Sequence, residues 1–375
     1  MLYQVAQDIR EARTLPATYY RDPKALDTLR EHVFPVVWHY VGSEDQCPEP
    51  GWLHPVTLLP GFLDEPLLLS RDTEGRLNLL SNVCTHRGNI LISENCKRKE
   101  IVCAYHGRRF SLDGRMLSMP FFQEAKNFPG ASDNLTSLPL RSLGPLLFSQ
   151  LQEGLTFEKV FYPLFQKLFW MDFKALKPRP DLSRIYQVRA HWALYVENYL
   201  EGFHIPFVHK GLNSALDFKE YSIEIFPGSV LQTAPASQPE EGFEAPQALC
   251  GQRPAAAFYF WFWPNLMLNF YPWGLSVNVV VPQSLDKTLV FYATFVCDEK
   301  KMGRGAGAEL HRVEMEDQAV VEQVQRGLRT RLYTSGRYSP QLEAGTHYFH
   351  RLLAHFHNDP CNFSILDYDH SSNVS

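Results

Sequence analysis

Hydrophobic positions change their spacing along this chain, and each change predicts a different kind of structure. Between residues 20 and 40, Leu26, Leu29, Val33 and Phe34 recur at helical spacing behind Asp22-Pro23, a favourable helix start. From about 37 the apolar residues fall into short runs cut by Pro and Gly, among them VVWHYVG, GWLHPVTLL, EPLLLSR and LNLLSNV, which read as antiparallel β structure. That texture continues through IVCAY, a hairpin turning at Asp113-Gly114, and the strands SLPLRSLG and PLLFSQL, closing near 155.

Beyond 155 the period lengthens. EKVFYPLFQKLFWMDF is helical in spacing, and SRIYQVRAHWALYVENYLEGFH passes from alternating strand to helix. Residues 213–250, rich in Gly, Pro, Ser and Glu, read as a long irregular connection, a functional lid or a partly mobile segment. Strands are expected at 256–271, 275–282 and 288–297. A last long helix fits 306–334, with Val313, Val320, Val324 and Leu328 along one stripe. The tail from about 356 is expected to be poorly ordered, and no internal repeat is seen. The boundaries that follow are 1–36, a helical segment associated with the later domain; 37–155, a β domain; 156–355, a mixed domain; and 356–375, a tail.

Composition narrows the class. With 45% hydrophobic and 21% charged residues in 375, the chain has the make-up of a globular protein with a large core. A net charge of -5 gives no nucleic-acid surface. The N-terminus lacks the basic start and apolar run of a signal peptide, so none is expected. The most apolar stretch, 258–273, is too short to span a bilayer and contains Pro264, Asn265 and Asn269, so no membrane span is expected. Cys47, Cys96, Cys250, Cys297 and Cys361 lack framework spacing, which fits a reducing cytoplasm.

The remaining two cysteines have company. Cys84 and His86 stand one residue apart; after a spacer, Cys103 and His106 stand two apart. Two thiolates and two imidazoles paired in this way suit a Rieske [2Fe-2S] cluster, with Cys84 and Cys103 on one iron and His86 and His106 on the other. A structural zinc is a rival, although zinc sites more often open with Cys-x-x-Cys. Ordinary buried thiols and surface histidines are the plain alternative, opposed by the Gly and turn-forming residues flanking both pairs.

A second constellation lies in ENYLEGFHIPFVHKG. Glu201 and His204 are three apart and would share a helical face, whereas His209 would point elsewhere unless Pro206 kinks the helix between them. Two histidines plus one carboxylate is the ligand set of dioxygen-activating iron. Asp317 is the foremost remote carboxylate, with Glu314, Glu316 and Glu322 as rivals; by itself such a His pair is more often core or surface, and such acids a solvated helix face.

Taken together, Cys-x-His, Cys-x-x-His and, about a hundred residues on, Glu-x-x-His-x-x-x-x-His resemble the catalytic α subunits of Rieske non-haem iron oxygenases, over about 35–355. The resemblance implies an α+β fold with a Rieske β domain inserted near the N-terminus, followed by a helix-grip catalytic domain, usually in a homotrimer. It makes Cys84, His86, Cys103 and His106 the cluster ligands, and His204, His209 and Asp317, in the ED-x-x-x-x-E-x-V-Q-R-G-L stretch, the ligands of a mononuclear non-haem Fe(II). Glu201 becomes the acid bridging the two centres across the trimer interface, hydrogen-bonding His106 and His204.

The implied activity uses O2 and externally supplied electrons. Glu at the bridging position, with VQRGL, looks like the branch acting on quaternary ammonium compounds such as carnitine, choline and glycine betaine. Aromatic faces favour such cations, and Phe258 to Trp263 supply many, without indicating which rings line a pocket. An arene oxygenase of the same family and a Rieske electron carrier without oxygenase activity are the alternatives. No dinucleotide fingerprint or plant-type cluster motif is present, so NAD(P)H and flavin belong on a separate reductase, with or without a ferredoxin. Lys97, Arg98, Lys99, Arg108 and Arg109 are either its docking charges or solubilising ones.

Overall fold

The computed structural model describes residues 2–217, 220–244 and 253–367. Contacts divide the chain into two units: Trp38–Glu153, and Met1–Val37 together with Gly154–Ser375. The first is therefore an insertion in the sequence of the second.

The Trp38–Glu153 unit is all antiparallel β structure. One sheet runs in the order Cys96–Lys97, Trp52–Leu58, Glu65–Arg71, Leu77–Ser81, Ser137–Leu138. A second pairs His39–Ser43, Leu146–Ser149 and Leu140–Leu143, and a third Ile101–Val102, Arg109–Phe110 and Met116–Ser118. The hairpin expected at Asp113-Gly114 is the turn of the third sheet, where Gly114 takes φ 87°. Leu53, Leu68, Leu80, Ile101, Phe110 and Leu112 form its core together with Cys84 and Cys103, so the two thiols hang from a packed floor.

The other unit is built on an eight-stranded antiparallel sheet. Lys287–Val296 pairs on one side with Lys177–Pro178 and Arg184–Val188; the order then runs Gly274–Ser284, Leu266–Tyr271, Ala255–Phe262, Ser229–Pro235, Ser222–Phe226. The helices Trp192–Tyr199, Leu310–Gly327 and Ala344–Asn358 belong to the same unit, and the first packs against both others. This is the helix-grip arrangement anticipated. None of the described helices is long and apolar enough to cross a membrane.

Several sequence expectations give way. The first helix covers only Pro23–His32: Asp22 caps it by accepting from Lys24 N, and Pro35 turns the chain into a 3-10 segment. The helical period after 155 yields two short helices, Phe157–Val160 and Tyr162–Lys167, the second with Pro163 in its first turn. The irregular connection at 213–250 contains the hairpin Ser222–Phe226 and Ser229–Pro235; its last residues, 245–250 with Cys250, lie outside the described ones. The expected poorly ordered tail is structured over 356–367, and residues 368–375 lie outside the described ones: the helix Ala344–Asn358 is an unexpected element, Asn358 exchanges hydrogen bonds with the Tyr3 backbone, and Phe363–Leu366 forms a 3-10 segment.

The helix expected at 306–334 is Leu310–Gly327, and its buried face is not the valine stripe. Glu314, Gln318, Val321 and Gln325 are buried, followed by Leu328, while Val324 is 44% exposed. Apolar periodicity failed here because polar side chains occupy the inward positions, each with a partner: Gln318 Nε2 donates to Glu314 Oε1 at 2.8 Å, and Gln325 Oε1 accepts from His191 N at 2.9 Å.

Candidate active site

Each unit carries its own group of candidate metal ligands. In the Trp38–Glu153 unit, Cys84 and Cys103 start loops with matching backbone bonds. Cys84 O accepts from Gly88 N at 3.0 Å and Cys84 N donates to Asn89 O; Cys103 O accepts from Gly107 N at 2.9 Å and Cys103 N donates to Arg108 O. Gly88 and Gly107 close these turns at φ 70° and 72°, a conformation costly for any residue with a Cβ. Both thiols are buried and hydrogen-bond each other. Burial pushes the Cys84 thiol up. Cys103 is brought below its ordinary value despite burial, because the Tyr105 and His106 amides, the Cys84 thiol and the Asn89 side chain stabilise its thiolate.

The rings of His86 and His106 stand 4.8 Å apart. The Nδ1 atom of each is buried and finds no partner among the described residues. Two buried lone-pair donors without partners, beside two neighbouring thiols, fit a group that accepts two nitrogens and two sulfurs. Desolvation, His106, Arg87 and Arg108 all hold His86 below its ordinary value, favouring the neutral ring that a metal needs. Arg108 cannot serve as an exposed docking charge: it is 2% exposed, pairs with Asp133 at 2.6 Å and lies over Phe110 and Phe128. Lys97 pairs with Glu49, and Arg109 with Glu100.

In the larger unit, the helix Trp192–Tyr199 ends at Leu200, before Pro206. Glu201 and His204 therefore meet through a turn and not on a helical face. The chain can turn this tightly at Gly202, where a Cβ would come 2.5 Å from the Tyr221 ring. Pro206 stands in the first turn of a second short helix, Ile205–Val208, where its missing N–H breaks no hydrogen bond. His204 and His209 flank that single turn.

The result is a convergent site. His204 Nδ1 is 2.7 Å from Glu201 Oε1, and His209 Nδ1 is 2.8 Å from Glu316 Oε2. With both Nδ1 atoms held by carboxylates, both Nε2 atoms are left for one point: Asp317 Oδ1 lies 3.4 Å from that of His204 and 2.9 Å from that of His209. One donor atom from each of His204, His209 and Asp317 lies within 4.8 Å of the others, a spacing that could hold a metal ion. Burial disfavours a charged His209, yet Asp317 and Glu316 raise it above its ordinary value, so the pocket calls for positive charge. The rival carboxylates have other partners: Glu316 is shared between His209 and Arg312, Glu322 pairs with Arg189, and Glu314 is buried against tyrosines.

Beside this point opens a cavity of about 750 Å³ including its mouth. The Tyr195, Tyr199, Tyr221, Tyr259, Tyr271 and Tyr292 side chains line it, with Gln232, Asn269, Asn278 and Glu314. Of the six-ring run 258–263, only Tyr259 reaches it. Gln232, Tyr259 and Asn269 stand opposite one another on three adjacent strands, giving a polar row across the sheet. These residues escaped the sequence reading, but a signal existed: Gln232, Asn269 and Asn278 are large polar side chains at buried positions in strands that are mainly apolar. Glu314 is 2% exposed; its Oε2 accepts from the hydroxyls of Tyr195 and Tyr292, and burial pushes its carboxyl up to about 7 against the pull of those bonds.

Family models match both units. Residues 37–129 match the Rieske [2Fe-2S] domain, and residues 177–357 the ring hydroxylating alpha subunit (catalytic domain). Chloroplastic choline monooxygenase of Arabidopsis thaliana is 29% identical over 366 residues, covering 92% of this chain and 83% of that protein. The carnitine monooxygenase oxygenase subunit of Escherichia coli K12 is 27% identical over 363 residues, covering 93% of each. Among solved structures, the quaternary ammonium Rieske monooxygenase CntA in complex with an inhibitor superposes with a TM-score of 0.77 at 23% identity, over 95% of this chain and 100% of that one, a likeness of fold. Both domain models match in the order in which the two ligand sets occur, and the chain accordingly belongs to the Rieske non-haem iron oxygenases, as an α subunit with a [2Fe-2S] domain and a mononuclear-iron catalytic domain.

Proposed function

We propose that this chain is the terminal oxygenase component of a multicomponent system, oxidising a small quaternary ammonium compound by hydroxylation, demethylation or cleavage beside nitrogen. Cys84 and Cys103 would hold one iron of the cluster through sulfur, and His86 and His106 the other through Nδ1. His204, His209 and Asp317 would hold the mononuclear iron. When bound, these groups supply single electrons and dioxygen activation, respectively.

The chain's own residues do the positioning. Glu201 and Glu316 would accept hydrogen bonds from the Nδ1–H groups of His204 and His209, which fixes each tautomer and aims Nε2 at the shared point. In a homotrimer, Glu201 would also reach His106 of the partner subunit and connect the two centres. The tyrosine wall offers ring faces to a methylammonium cation. Electrons from NAD(P)H would come through a separate flavin reductase, with or without a ferredoxin. The six described cysteines are free, which supports a reducing compartment, in our reading the cytoplasm.

The observation that carries the proposal is the convergence of two carboxylate-steered imidazoles and Asp317 beside a tyrosine-lined cavity. The relatives with choline and carnitine in their names support the substrate class. Incubating the holoenzyme with its reductase and a panel of methylammonium and aromatic compounds tests it: aldehyde or demethylated amine is expected from the former, whereas cis-diols from the latter alone would give the arene reading the advantage.

A further inference from the structure

The charge lining the cavity is one-sided. Its ionisable side chains, apart from the tyrosines and two histidines, are Glu201, Glu314 and Asp317; no lysine or arginine is among the described residues lining it. A divalent iron at the His204–His209–Asp317 point would offset two of these three carboxylates, leaving one. Glu201 and Asp317 are engaged by the imidazoles. Glu314 is not: its recorded partners are Tyr195, Tyr292 and Gln318, all neutral, and no cationic side chain among the described residues pairs with it. Hydrogen bonds satisfy its oxygens, but its ionised form has no counter-charge in this low-dielectric wall, so a cation entering the cavity would favour that form.

A second, independent feature points to a ligand. Gln232 is 1% exposed and lines the same cavity; its Nε2 donates to Tyr199 O at 2.7 Å, while its Oε1 is buried with no partner among the described residues. An orphaned acceptor in a cavity wall invites a donor from whatever enters.

We infer that the site is built for a methylated ammonium alcohol that carries no carboxylate, with Glu314 as the counter-charge to the cationic head and Gln232 Oε1 as the acceptor for its hydroxyl. This rests on the quaternary-ammonium reading and divides that class. A zwitterion such as carnitine would bring a carboxylate into a wall that already has an excess of them, with no described cation to receive it. Choline would bring one positive charge and one hydroxyl donor. Glu314 and Gln232 are thus specificity determinants rather than catalytic groups.

Calorimetric titration of the as-isolated holoenzyme, with no reductant present so that nothing turns over, tests this. Wild-type protein is expected to bind choline at least about tenfold more tightly than carnitine or the uncharged carbon analogue of choline, dimethylbutanol. Glu314→Gln, which retains an acceptor for the two tyrosines, should weaken choline about tenfold and leave dimethylbutanol within about twofold, which also shows the pocket to be intact. Gln232→Met should erase the preference for choline over ethyltrimethylammonium, which lacks the hydroxyl. Carnitine binding as tightly as choline, or choline affinity unchanged in Glu314→Gln, overturns the inference while the quaternary-ammonium reading stands. An arene binding where no methylammonium does sinks both.

Discussion

The two proposed ligand sets would solve the same problem, holding metal with imidazole, in opposite ways. In the Trp38–Glu153 unit the chain does it with backbone: two turns with the same amide pattern set Cys84 and Cys103, and the imidazoles follow with Nδ1 bare. In the larger unit the backbone brings the imidazoles only to within reach, and side chains finish the work, with Glu201 and Glu316 on Nδ1 so that Nε2 faces inward. One set has Arg87 and Arg108 for neighbours, which favour a neutral His86 ring. The other is ringed by carboxylates, which favour a cation. The first arrangement therefore leans on backbone geometry, the second on side-chain partners.

Substitutions can break that contrast, and the largest effect belongs to Asp317, the carboxylate we propose to share a metal with both imidazoles. Asp317→Ala should abolish turnover and remove about one iron per chain while the visible spectrum of the cluster persists; iron retained in full would show that another acid is the ligand. Next is Glu316→Gln, expected to weaken mononuclear iron binding about 10–100-fold, as measured by chelator competition, without altering the cluster. Equal iron affinity would leave Glu316 as a mere partner of Arg312.

On the opposite side, Arg108→Leu leaves the Asp133 carboxylate without its ion pair and should destabilise the Trp38–Glu153 unit by about 3 kcal/mol. Thermal unfolding followed at the cluster absorbance should come earlier, with mononuclear iron content unchanged; simultaneous loss of both metals would deny the units their independence. A further effect is one of pH. Burial holds His191 at about 3, against 6.5 for a free histidine, so the unfolded chain takes up its proton first. Stability from this residue is complete above about 6.5 and is lost as pH falls toward 3. Its Nδ1 accepts from Ala193 N at the start of the Trp192–Tyr199 helix, a role Asn can fill. His191→Asn should thus lose less denaturant resistance than wild type between pH 6.5 and 4; parallel curves would show another group to be responsible.

The same contrast explains what could be read from the sequence. Cys84, His86, Cys103 and His106 were legible because a backbone-built site keeps its ligands at fixed short spacing. His204 and His209 were legible as a pair, but the reason offered for their meeting was wrong: the helix ends at Leu200, well before Pro206. Asp317 could not be separated from Glu314, Glu316 and Glu322 by spacing, since the choice depends on how the Leu310–Gly327 helix is rotated, and apolar periodicity gave that rotation wrongly. The tyrosine wall was hidden for a related reason. In strands buried on both faces, alternation vanishes, and only the rare Gln232, Asn269 and Asn278 mark the face that meets a cavity.

The polar underside of Leu310–Gly327 has a mechanical meaning. Glu314 grips Tyr195 and Tyr292, Glu322 takes the Arg189 amide at 3.0 Å, and Gln325 takes that of His191. An oily stripe would let a helix creep along its neighbour by a fraction of a turn with little penalty; these grips engage at one setting and release all together. Asp317 rides between them like a tooth on a locked gear. Its distance to the two imidazoles is thereby tied to the rotation of that helix.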